Sequence, residues 1–106
     1  MHRFSRWRQP LMDARSVADV KRIMADYLAV ILPEDRARLP QEARDALSLD
    51  DIAGSALVLT REEVHFVGEQ AVVDTLHVIA HTFVAASHRI AAIQARGPPA
   101  GTDVGP

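Results

Sequence analysis

Three of the five histidines of this 106-residue chain lie in the stretch Asp74–Ile90, DTLHVIAHTFVAASHRI. His77 and His81 are four residues apart, one helical turn, a spacing at which two imidazoles grip one divalent ion. Asp74, a turn before His77, is the natural third ligand, so the expected metal set is Asp74, His77 and His81. His88 stands seven residues beyond His81, about 10 Å along a helix, too far to join the same ion. No glutamate separates His77 from His81, so the HExxH protease arrangement, in which that glutamate is the general base, is absent. Glu62 and His65 form one ExxH pair that offers further ligands, but the carboxylate and ExxH complement of a di-iron bundle is incomplete.

A second chemistry is suggested at the amino end, MHRFSRWRQPLM. Arg3, Arg6 and Arg8 alternate with Phe4 and Trp7, a pattern suited to phosphates or an acidic partner. Pro10 divides it from the rest of the chain, so residues 1–12 are expected to be a flexible basic arm, with Arg3, Arg6, Trp7 and Arg8 as its contact residues. Other chemistries are closed by composition. Cysteine is absent, which excludes disulfides, thiolate metal sites and cysteine nucleophiles. There is neither a glycine-rich phosphate loop nor a GxSxG turn. Adjacent acid pairs such as Asp50/Asp51 and Glu62/Glu63 stand near expected helix starts, where the helix dipole accounts for them. No enzymatic activity and no cofactor are expected.

These residues need helices to position them. Ser16 and Asp19 cap a first helix, Ser16–Leu32, whose Val17, Val20, Met24, Tyr27, Leu28 and Ile31 form one stripe before Pro33 stops it. Pro33 and Pro40 then each open a short helix. The clearest signal is Val72, Leu76, Ile79, Phe83, Ala86, Ile90 and Ile93, spaced four and three in alternation, an a/d seam over a helix from Glu69 to Arg96. At about 100° per residue the three histidines fall within about 40° of one another, on the side opposite that seam. Val84 and Ala91 lie beside them. A helix apolar on its seam and small and apolar behind it is expected to be covered on both sides. His77, His81, Val84, His88 and Ala91 therefore form the expected interaction surface, with a second copy of the chain as the expected cover.

Between the two long helices, LSLDDIAGSALVLTREEV (residues 47–64) resembles the helix-turn-helix of transcription factors. The resemblance implies a supporting helix, a turn and a recognition helix. The stretch departs from the pattern in lacking the turn glycine, in its spacing from Ala53 to Thr60, and in the Arg61, Glu62, Glu63 start of its second helix, where carboxylates repel phosphate. Residue by residue, Ser48 and Asp51 read as a cap, and Thr60 with Glu63 as a capping box that starts another helix. LVLT and VHFV, rich in β-branched residues, allow instead a hairpin at Leu57–Val67.

At 48% hydrophobic and 25% charged residues with a net charge of −2, the composition is that of one globular domain with no global pull on nucleic acid or anionic lipid. The charge is uneven: residues 1–32 carry six basic and three acidic side chains, and residues 34–74 four basic and ten acidic. No secretory signal is evident, and the uncharged run Thr75–His88 is too short to cross a bilayer, so a cytoplasmic location without membrane contact is expected. The expected fold is an all-α bundle over residues 13–96 with a long amphipathic carboxy-terminal helix, the alternative being α+β with the hairpin near 57–67. GPPAGTDVGP, residues 97–106, is expected to be disordered. The expected function is that of a small interaction or scaffolding protein associating through the last helix. The alternatives are a nucleic-acid-binding regulator using the arm, and a metal-binding bundle.

Overall fold

The computed structural model describes residues 3–96, with side chains from residue 6 onward. The Gly/Pro segment 97–106 lies outside the described residues, as does the Arg3 side chain. The fold is all-α, with no strand among the described residues: α1 (Arg3–Asp13), α2 (Val17–Val30), α3 (Pro33–Ala37), α4 (Gln41–Asp45), α5 (Ile52–His65) and α6 (Gln70–Ala95).

The organising element is α6. Its seam residues Val72, Leu76, Ile79, Phe83 and Ala86 are buried, and Ile90 and Ile93 pack at the edge of the same core. α5 makes the most extensive contact with it, and α1 and α2 cover the rest of the seam. By length and composition α6 is apolar enough to cross a membrane, which the shorter uncharged run Thr75–His88 is not. In this fold its seam is taken by the other helices.

α2 starts as its residue types dictate. The Ser16 hydroxyl accepts from the Asp19 amide at 3.0 Å, and the Asp19 carboxylate accepts from the Arg15 amide at 3.3 Å. At its other end the Leu28 carbonyl accepts from the Ile31 amide at 3.4 Å and from Arg36, on α3, at 3.0 Å, so a side chain helps to satisfy the last turn. Val20, Ile23, Met24 and Tyr27 are buried.

Two expectations about chain segments are corrected. Of the segment 1–12 expected to be a flexible basic arm, the described part is helical: Arg3–Asp13 forms α1, with Pro10 inside the helix. Interior proline removes an amide donor and crowds the carbonyl four residues back. Burial outweighs this cost, because Leu11 is 1% exposed and Trp7 meets the Tyr27 ring edge-on at 5.4 Å. The other correction concerns residues 48–67. Neither a hairpin nor a pair of helices forms there, but one continuous α5. Asp51 caps it, its carboxylate accepting from the Gly54 amide at 3.0 Å, while Ser48 accepts from Asp50 outside the helix. A Cβ at Gly54 would collide with Asp51 Oδ2, so a larger residue there would require the capping carboxylate to shift. Ile52, Ala56 and Leu59 are buried against the core, and this helical stripe prevails over the β-branched residues around it. Thr60 and Glu63 therefore sit inside a helix, and the turn required by a helix-turn-helix is absent.

The turn between α1 and α2 is fastened to α6 by Arg89. Its Nε and Nη2 both donate to the Ala14 carbonyl, at 2.9 and 2.7 Å, with Ala14 itself buried. Arg89→Ala should lower the unfolding free energy by about 1.5–3 kcal/mol, the range for hydrogen bonds from a charged donor. Arg89→Lys should recover little, because an ammonium lacks the forked geometry. Urea denaturation of the two variants tests this; a fully stable lysine variant would contradict it.

Tyr27 supplies a pH signature. Burial pushes its phenol above the ordinary value, with a hydrogen-bonding contact to Thr82 opposing the shift in part. The unfolded chain ionises this group near pH 10, the folded chain only at higher pH. Stability is thus unaffected below about pH 10 and lost as pH climbs through the folded value. Thermal unfolding between neutral pH and pH 11 should show a shallower alkaline decline for Tyr27→Phe than for the native chain. Parallel profiles would contradict the assignment.

Candidate functional site

α5 and α6 are joined by residues 66–69, too few for anything but a helical hairpin. The turn is tight: a Cβ at Gly68 would approach the Phe66 ring to 2.6 Å. The hairpin brings the inner stripe of α5 against the flank of α6, and that stripe runs Ile52, Ala56, Leu59, Glu63. The first three are buried apolar residues. The fourth is a carboxylate, 21% exposed, that arrives beside His77 and His81.

His77 Nδ1 is in hydrogen-bonding contact with Glu63 Oε2, and His81 Nε2 lies 3.9 Å from Glu63 Oε1. The two imidazoles, a turn apart on α6, lie with ring centroids 4.0 Å apart and planes tilted by 40°. One donor atom from each of Glu63, His77 and His81 falls within 4.8 Å of the others, and among the described residues these three form a group able to hold a metal ion. Chemically this is two imidazole nitrogens and one carboxylate oxygen, open to solvent on one side.

The histidine pair expected from the sequence is therefore brought together, but its third member differs. Asp74 accepts a hydrogen bond from Gln70 Nε2 at 2.8 Å and is outside the group. On one helix, residues 74 and 81 are seven residues apart, about 10 Å along the axis, whereas a residue from the packed neighbour faces the pair directly. The sequence did hold a signal for Glu63. It continues the four-three-four spacing of Ile52, Ala56 and Leu59, so an acid occupies a position that the stripe would otherwise bury.

Farther along the same hairpin lies a cleft of about 550 Å³. α5 contributes Ala53, Leu57, Thr60 and Val64, and α6 contributes Val84 and His88. Val84 and His88, two of the expected interaction residues, thus meet at one surface, and α5 of the same chain covers part of the face expected to await a partner. Ala91 is exposed but does not line this cleft. Of the expected basic contact residues, Arg6 and Arg8 are exposed, while Trp7 is engaged with Tyr27.

The chain matches no protein-family model, no curated protein and no solved structure.

The Glu63–His77–His81 cluster is half-exposed, and polar pairs in that setting contribute little to folding. Glu63→Gln should therefore change the unfolding free energy by less than about 1 kcal/mol. A loss of several kcal/mol in chemical denaturation would make the cluster a structural brace instead.

Proposed function

We propose that this protein is an interaction or scaffolding protein that pairs with a second copy of itself through the α5–α6 face. The observation that carries this reading is the outer stripe of α5. Leu57 is 74% exposed and Val64 72% exposed, and the two stand seven residues apart, two turns, on one side of the helix. Between them Thr60 continues the stripe, and the cleft beside it is otherwise apolar apart from Arg61, Ser87 and two histidines.

Three physical features favour a copy of the same chain as the occupant. The stripe is self-complementary: a two-fold axis between Thr60 and Arg61, with the helices antiparallel, sets Leu57 of each copy against Val64 of the other. The molecule measures 56 × 26 × 19 Å, so its thinnest dimension is about two helix diameters, and the Leu57 and Val64 side of α5 is left exposed. The cleft lining carries one formally charged side chain, Arg61, near that axis, and its long stem can carry the guanidinium out to solvent as two copies meet. α6 takes part through Val84 and His88, as the histidine face of the sequence suggested.

Each of the four leucine and valine side chains contributes about 1.5–3 kcal/mol when fully buried. Replacing Leu57 or Val64 with glutamate removes that burial in both copies, so association should weaken by about a hundredfold or more. Sedimentation velocity on the untagged chain should show a dimer that becomes a monomer in Leu57→Glu and in Val64→Glu, with unchanged helical circular dichroism. Val30→Glu, which alters an exposed apolar residue at the end of α2, should leave the dimer intact. A native monomer, or a dimer indifferent to both α5 changes, would contradict the proposal.

A further inference from the structure

We infer that Glu63, His77 and His81 form a binding site for a late first-row divalent cation of the zinc type, clipping the end of α5 to the start of α6. The inference does not depend on self-association.

Three observations converge on it. The donors come from two helices and are already gathered, with one donor atom from each within 4.8 Å of the others. Tetrahedral zinc holds nitrogen and oxygen ligands at about 2.0–2.2 Å, which sets them about 3.3 Å apart. The donors thus already lie within about 1.5 Å of that spacing, in a cluster where 55% of the His77 and 49% of the His81 side chain is exposed. The donor chemistry also selects the ion. Two imidazoles with one carboxylate suit zinc and its neighbours in the first row, whereas calcium and magnesium demand mostly oxygen ligands.

The third observation is the placement of Glu63. An acid at the buried-stripe position of α5 gives up hydration that Leu59 and Ala56 never needed, and the compensation the fold offers it is the histidine pair. A cation between them would take the place of the direct contact between His77 Nδ1 and Glu63 Oε2. The remaining coordination position faces solvent and takes water. With both helices ligated, the ion fixes the 66–69 turn from both sides. It stabilises the hairpin by mass action, because an unfolded chain does not hold the three donors together.

The test is calorimetric titration of zinc chloride into the untagged full chain after chelator treatment, with magnesium chloride as the comparison. One zinc per chain is expected, and no magnesium. His77→Ala and His81→Ala should each weaken zinc binding by at least about tenfold, the lower bound for disturbing even an outer partner of a metal site. Asp74→Asn and His88→Ala should bind as the native chain does. Cobalt(II) gives a readout that needs no variant: the native chain should develop the intense visible bands of a four-coordinate ion. The inference is overturned by absence of saturable zinc uptake, by the pale spectrum of hydrated cobalt, or by Asp74→Asn weakening zinc as much as His81→Ala.

Discussion

The structure depends on one long apolar seam that cannot be left in water. α6 carries Val72, Leu76, Ile79, Phe83 and Ala86 along 26 residues, and every longer helix of the fold is placed by its contact with that line. Burial of such a seam supplies the main favourable term, at about 25 cal/mol per Å² of apolar surface. α1 and α2 take one end, tied there by Arg89 on Ala14, and α5 takes the flank. Even the interior Pro10 of α1 is tolerated because Leu11 and Trp7 gain cover from the assembled core.

Much of this was legible in the residues. The alternating spacing of four and three from Val72 to Ile93 predicts α6 to within a residue at each end, and Ser16 with Asp19 predicts the start of α2. What could not be read locally was decided by tertiary contact. LVLT and VHFV favour strand by residue type, yet Ile52, Ala56 and Leu59 had a seam to bury against and a helix presents them to it. Arg3 to Pro10 looks like a charged arm when taken alone. It is helical because Trp7 and Leu11, four residues apart, find Tyr27 and the core on one side. Neither partner is visible from the segment itself.

The same division holds for the site. The His77/His81 pair follows from helical spacing on one element, but its carboxylate comes from another. Asp74 is near in sequence and Glu63 is near in space, and only the hairpin geometry decides between them. One packing event thus generates both features of the α5–α6 face. Laying the inner stripe of α5 on α6 delivers Glu63 to the histidines and leaves Leu57 and Val64 pointing outward. The Glu63–His77–His81 cluster and the apolar stripe are two sides of the same helix, one turned toward α6 and the other outward.

Both proposals rest on that face, and native mass spectrometry of the untagged chain, purified without chelator, addresses it most directly. A dimer carrying one divalent ion per chain is expected. A metal-free monomer at every concentration would contradict it.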